Sequence, residues 1–526
     1  MPIDLTRRHF LTLSAALAAA SCGEAPQSQP SPAAVGEFEL DEATFDDLLR
    51  MQSSGERSAA ELTRLYLERI EQIDRQGPAL NSVIEINPEA EAIAEALDRE
   101  RAEGRLRGPL HGLPLLIKDN IDTGDRMQTT AGSLALEGSH AKQDAAVAAA
   151  LREAGAVLLG KTNLSEWANF RSFDSTSGWS GRGGLTRNPY ALDHNTCGSS
   201  SGSGAGASAN LCAGAIGTET NGSITCPSSI NGLVGVKPTV GLVSQAGIIP
   251  ISHSQDTAGP MTRTVRDAAL LLGAIADRSV AQASADYAAA LDAGALRGAR
   301  IGVGRGFDGT GDLVRPLFEE ALKALRAAGA ELIEIETGLP REQAGRAPLD
   351  VLEFEFKDGL NRYLAGLDPS IAVRDLAGVI DFNKAHADRE LVWFDQGILE
   401  ESQEKGPLTE KAYLDAVALI QRLSRASIDG PISEHGIQTI VAPTTGPSWA
   451  TDLVRGDPSS GGSSSAAAIA GYPNVTVPMG AVHGLPVGLS FFGPAWSEQT
   501  LLRLAYAFEQ QTKARRKPGF RPTVQA

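Results

Sequence analysis

The chain has 526 residues, room for two to four average domains or one large α/β enzyme domain, and its 42% hydrophobic and 21% charged content is ordinary for a globular protein. A formal charge of −17 without clustered Lys and Arg excludes a nucleic-acid surface. The four Cys give no disulfide framework, because setting Cys22 aside leaves an odd number at 197, 212 and 226. Those three are expected to pack as small hydrophobes, and the eight scattered His show no metal-ligand spacing.

At the amino terminus, Thr6-Arg7-Arg8-His9-Phe10-Leu11 precedes an apolar run to Ala20 that is too short to span a bilayer. The paired arginines resemble a twin-arginine export signal over residues 1–21, which implies a periplasmic or cell-envelope location. Ala19-Ala20-Ser21-Cys22 resembles a lipoprotein cleavage site, departing from it at Ala19, where Leu is usual. Cleavage there would leave Cys22 lipid-bearing and tether the protein to a membrane. Residues 22–38, small, polar and Pro-rich, read as the tether.

The main domain is expected over 39–522. Ser58-Ala59-Ala60-Glu61 fits a capping box, and Leu62, Leu65, Tyr66, Ile70 and Ile73 follow at helical spacing. Further helices are predicted from Pro88 through Arg105 and from Ala145 to Ala154, the second leading into a short buried strand at Val157-Leu158-Leu159. Residues 233–250, β-branched and broken by Gly and Pro, read as strands and turns. A helix over 312–329 precedes the strand 332–335, and 436–443 returns to a strand. Alternation of this kind predicts an α/β fold, a mixed twisted sheet between helices on both faces. Residues 345–430, more helical and more charged, are the expected substrate-selecting region, together with 172–185 for the acyl-side pocket.

Between Cys197 and Pro227 runs CGSSSGSGAGASANLCAGAIGTETNGSITCP, where two seryl clusters, Ser199-Ser200-Ser201 and Ser223, sit beside glycines that allow close backbone approach. Upstream, Lys118 ends the apolar run Leu113-Pro114-Leu115-Leu116-Ile117, whose burial would hold an amine uncharged. A seryl nucleophile, a second serine and a lysine base form a known variant of acyl-transfer catalysis. His111 and His194 lie near these motifs but read as structural.

The chain resembles the amidase signature enzymes, and within them the bacterial peptide amidases that hydrolyse carboxy-terminal peptide amides. The resemblance rests on GLPLLIKDNID (112–122), GKTNLSEWAN (160–169), CGSSSGSGAGAS (197–208), GTETNGSITCP (217–227), NGLVGVKPTVGLVS (231–244) and GYPNVTVPMG (471–480), in this order. It implies Lys118 as the base, Ser199 as the bridging serine after a cis peptide, and Ser223 as the nucleophile, 24 residues on. Ser200 and Ser201 are rivals for the bridge, but either would break that register. Backbone N–H groups at Thr220, Asn221, Gly222 and Ser223 would form an oxyanion hole, and Asp119 would face donors other than Lys118. The resemblance further implies no metal or organic cofactor and no obligate protein partner, only a small-molecule or peptide amide substrate.

Two departures stand out. Glu219-Thr220-Asn221-Gly222-Ser223 replaces the common Asp-Thr-Gly-Gly-Ser, and Thr225 stands where an Arg commonly follows the nucleophile. Other readings are a general amidase of small aliphatic or aryl amides, an amidotransferase A subunit, which the export signal and the lack of a basic face oppose, or an inactive binding lipoprotein, which the presence of all three triad residues opposes.

Overall fold

Thirteen strands can be followed through the computed structural model, which describes residues 36–524 apart from 285, 306, 308–310 and 459–460. The expected export signal, Cys22 and all of the tether before residue 36 lie outside the described residues. The strands are β1 (Val83–Ile86), β2 (Pro114–Lys118), β3 (Val157–Thr162), β4 (Trp179–Ser180), β5 (Gly184–Leu185), β6 (Gly214–Glu219) and β7 (Val234–Lys237). They continue with β8 (Thr257–Thr262), β9 (Arg300–Gly304), β10 (Glu331–Ile335), β11 (Thr439–Pro443), β12 (Asn474–Val482) and β13 (Leu485–Phe492).

Eleven of them form one mixed sheet in the order β1-β3-β2-β6-β8-β7-β12-β13-β11-β9-β10, and β4 with β5 makes a small hairpin. β2 runs parallel to β3 and β6, whereas β8 and β7 are antiparallel to their neighbours. Every residue of β2, β3 and β6 is buried, and these strands read as unbroken apolar or small runs up to Lys118, Lys161-Thr162 and Thr218-Glu219 at their ends rather than as alternating ones. Such strands require cover on both faces, and helices provide it, among them Ser201–Ser208, Thr225–Ile230, Val265–Ile275 and Glu498–Thr512.

The local sequence accounts for most element boundaries. Ser58 caps the helix Ala59–Ile70 by accepting from Glu61 N, while the Glu61 carboxylate returns to Ser58 N. The predicted helices appear at Ala90–Ala102, Ala146–Glu153 and Val314–Ala327, and the last leads into β10. Over 345–430 the chain is helical as expected, chiefly in Ala347–Ala365, Leu376–Ala385, Gly397–Gln403 and Lys411–His435. Phe356, Leu360 and Leu364, spaced along one face, pack with Leu376, Val379 and Ile380 against Trp167, Phe170, Ile249 and Ile251. The helical region is thereby joined to the loops that follow β3 and β7.

A buried charge also fastens that region. Arg171, wholly buried, donates to Glu166 Oε1 at 2.8 Å, to Phe394 O at 3.0 Å and to Glu390 Oε2 at 3.5 Å. Its guanidinium lies over the rings of Trp179 and Phe394. Burial and the nearby Glu166 carboxylate push Glu390 up to about 9, so its carboxyl holds a proton near neutrality.

The cysteines differ from expectation. Cys197 and Cys226 form a disulfide, and Cys212 is a buried free thiol. An odd count conceals a single pair, and only folding brings together two residues 29 positions apart. Among the described residues no helix is long and apolar enough to cross a membrane.

The helix Ser201–Ser208 is built of Ser, Gly and Ala because it lies against backbone. A Cβ on Gly202 would stand 2.2 Å from Ser82 O and 2.5 Å from Asn163 O. Gly202→Ala is expected to cost about 1–3 kcal/mol as overpacking, seen as a lower urea midpoint at unchanged secondary structure by circular dichroism.

Candidate active site

Strand β2 ends in Lys118, and the parallel pairing of Ile117 with Ile216 sets its side chain beside β6. The ammonium or amine nitrogen is wholly buried, 2.8 Å from Ser199 Oγ, 2.8 Å from Thr218 Oγ1 and 3.5 Å from Thr218 O. Asn120 Nδ2 donates to the same Thr218 hydroxyl at 3.1 Å, which fixes the oxygen that Lys118 meets. Burial lowers the Lys118 pKa to about 7, against the opposing pull of the Asp256 and Glu219 carboxylates. Asp119, next in sequence, turns away, its carboxylate accepting from the Thr130 hydroxyl and from Arg182.

Ser199 follows a cis Gly198–Ser199 peptide bond. A Cβ at position 198 would stand 2.2 Å from Ser165 Oγ and 2.9 Å from Ser177 Oγ, so any larger residue there would displace both side chains. The two rival serines are committed elsewhere: Ser200 Oγ donates to Thr218 O and accepts from Thr218 N, and Ser201 Oγ donates to Cys197 O. Ser200 N donates to Ser223 O at 3.2 Å, tying the two seryl segments together.

Ser223 sits in a tight turn between β6 and the helix Thr225–Ile230. The Glu219 carboxylate organises that turn, Oε1 accepting from Gly222 N at 2.8 Å and Oε2 from Ile224 N at 2.8 Å and Thr225 N at 2.9 Å. Gly222 is therefore a correction to the implied oxyanion hole, since its N–H is already used. Its φ of +86° instead supplies the left-handed step, so Asn221 does not have to. The N–H groups of Thr220, Asn221 and Ser223, and the Ser223 hydroxyl, have no acceptor among the described residues. The Thr220 hydroxyl donates to Asp256 Oδ1 at 2.6 Å, and the Asn221 amide is held by Ser464 and Ser465. Asp256 in turn accepts from Ile251 N and Ser252 N, and burial raises it to about 6.

Two cavities flank this turn. One of about 220 Å³ is lined by Asn120, Thr218, Thr220, Ile249, Ile251 and Asp256. The other, about 820 Å³, runs past Asn221 between Leu339, Arg341, Ser465 and Ile469. A buried amine of lowered basicity can take a proton from the hydroxyl in contact with it, and free N–H donors beside a second hydroxyl can stabilise an oxyanion.

Sequence reasoning missed Thr218, Glu219 and Asp256 as structural partners of this site, although GTET placed two of them within the motif. His111 and His194 do not enter it: His111 bonds Leu97 O and Arg107 N, and His194 bonds Asp193. Among the described residues no group of three or more His, Cys, Asp or Glu is arranged to hold a metal ion.

A family model described as Amidase matches residues 61–502. The chain belongs to the amidase family. A probable amidase of Arabidopsis thaliana is 41% identical over 503 residues, covering 92% of each chain. The native peptide amidase of Stenotrophomonas maltophilia superposes with a TM-score of 0.87 at 50% identity, over 92% of this chain and all of that one. The peptide amidase PAM in complex with the competitive inhibitor chymostatin superposes equally well, at 51% identity, over 92% of this chain and 100% of that one. This amidase is an amide hydrolase built as one amidase-signature α/β domain.

Replacing Glu219 by Gln puts an N–H₂ where two backbone donors now find an acceptor. Glu219→Gln is expected to lower kcat about 10²-fold, the scale of losing an oxyanion donor, measured as ammonia release with circular dichroism unchanged.

Proposed function

We propose that this amidase removes the carboxy-terminal amide of peptides through an acyl-enzyme on Ser223, with Ser199 relaying the proton and Lys118 receiving it. The observation that carries this reading is the 2.8 Å contact between the wholly buried Lys118 amine and Ser199 Oγ. Likeness to two peptide amidase structures at 50–51% identity supports the choice of substrate. We further propose that the enzyme works in the periplasm or cell envelope, on the strength of Arg7-Arg8 and the apolar run behind them.

Ser223 Oγ attacks the amide carbon as its proton passes to Ser199 Oγ and the Ser199 proton passes to Lys118 Nζ. The carbonyl oxygen becomes an oxyanion, met by the free N–H groups of Thr220, Asn221 and Ser223. Collapse of the tetrahedral intermediate breaks the C–N bond while the Lys118 ammonium returns its proton through Ser199 to the leaving amine, which departs as ammonia. Water then attacks the ester, its proton following the same relay, and the peptide leaves with a free carboxyl group while Ser223 is regenerated.

The base works only in its neutral form. With Lys118 near 7, kcat/KM is expected to fall as pH drops through about 7, with the slope of one proton, and to level off above it. A pH–rate profile on one peptide amide, from pH 5 to 9, checks this; a flat profile across pH 7 contradicts a lysine base.

Substrate class is tested by ammonia release from amidated di- and tripeptides, simple aliphatic and aryl amides, and glutamine, with Ser223→Ala in parallel. Release from the peptide amides that disappears in Ser223→Ala is the expected result. Turnover of simple amides alone, or of glutamine alone, would sink the peptide-amide reading.

A further inference from the structure

The disulfide between Cys197 and Cys226 lies where the reaction needs fixed geometry. Cys197 is two residues before Ser199, and Cys226 is three residues after Ser223. The bond therefore closes a loop that carries one of these serines near each end. Other direct ties between the two segments are hydrogen bonds, Ser200 N to Ser223 O at 3.2 Å, Ser200 Oγ with the Thr218 backbone at 3.0 and 3.1 Å, and Asn231 Nδ2 to Thr196 O at 3.0 Å, and the disulfide is the covalent one.

Cys197 also holds an unusual backbone. Its φ is +53°, a left-handed conformation that a residue with a Cβ adopts only when its surroundings impose it. Three things impose it here: Asn195 Oδ1 accepts from Cys197 N at 2.7 Å, Ser201 Oγ donates to Cys197 O at 2.6 Å, and the side chain is anchored covalently to the helix Thr225–Ile230. Release of that anchor would leave two hydrogen bonds alone to hold the backbone at Cys197.

We infer that Cys197 and Cys226, as their disulfide, are positioning residues that hold Ser199 in register with Ser223, so that opening the bond turns the hydrolysis down. The inference rests on the proposed roles of Ser199 and Ser223. A proton relay through two hydroxyls is sensitive to small displacements, and a shift of about 1 Å in reacting groups can cost on the order of 10²-fold in rate. Activity would then follow the redox state of the surroundings, full in an oxidising compartment and low in a reducing one.

Of the two cysteines Cys197 is buried and Cys226 partly exposed, so reduction would begin at Cys226. Attack by one thiol of dithiothreitol on Cys226 Sγ breaks the S–S bond and releases Cys197 as the thiolate. The second thiol of the reagent resolves the mixed disulfide, leaving two protein thiols and one cyclic oxidised reagent, with two electrons and two protons transferred. Cys212 takes no part, being wholly buried with its thiol pushed up to about 12.

The test uses the folded full chain. Dithiothreitol treatment is followed by counting thiols with a chromogenic reagent, by kcat and KM on an amidated peptide, and by reoxidation with oxidised glutathione. Expected are two new thiols, a kcat at least about tenfold lower, a KM within about twofold, and recovery on reoxidation. The double variant Cys197→Ser, Cys226→Ser should show the same lowered kcat and no response to reductant; should it not fold, the reduced wild type decides. Two released thiols with unchanged kcat would overturn the inference. So would failure to release any thiol from the folded enzyme, or a loss of activity that tracks loss of near-ultraviolet circular dichroism. Ser223→Ala, assayed alongside, separates the two levels: activity in that variant would remove the triad reading itself, whereas an inert variant with a redox-indifferent wild type removes only the role of the disulfide.

Discussion

An amine stays uncharged near neutrality only if it is taken out of water, and this chain does so by ending a wholly buried strand in Lys118. Much of the surrounding architecture is a condition of that burial. β2 must lie inside the sheet, between β3 and β6, with cover on both faces. The amine must still be satisfied, and Thr218 on β6 and Ser199 supply its partners. Carboxylates must remain near enough for the turn at Ser223 to be organised, yet none may pair with the amine: Asp119 is drawn off by Thr130 and Arg182, Asp256 by Thr220, and Glu219 by three backbone donors.

The second constraint is close approach. The seryl segments and β6 can meet only if little side-chain volume lies between them, which accounts for the run of Gly, Ser and Ala from 198 to 208. Its serines are not interchangeable. Ser200 laces the segment to Thr218, Ser201 locks the backbone of Cys197, and Ser199 alone of the three contacts Lys118. Glu219, where Asp is common in the family resemblance, has the reach to accept from residues three, five and six positions ahead.

What was legible in the sequence was local. The capping box at Ser58, the apolar runs of β2 and β3, and the helical character of 345–430 all depend on neighbours in the chain, and each appears where it was expected. The pairing of Lys118 with Ser199 was legible only through motif order, since 81 residues separate them. The disulfide, the Thr220–Asp256 link and the diversion of the Gly222 N–H to Glu219 depend on how distant segments meet, and no spacing signals them. Asn221 illustrates the point: the left-handed step of the turn falls on Gly222, and the Asn221 side chain binds Ser464 and Ser465.

The Arg171 cluster bears on how the molecule opens. Lifting the helices of 347–435 away from the loop after β3 would part Arg171 from the carbonyl of Phe394 and from the protonated Glu390 carboxyl, while its bond to Glu166 on the same loop would remain. Partial opening therefore leaves buried polar groups short of hydrogen-bond partners at its first step. A segment fastened in this way does not breathe in small increments; it remains docked or it leaves as a unit.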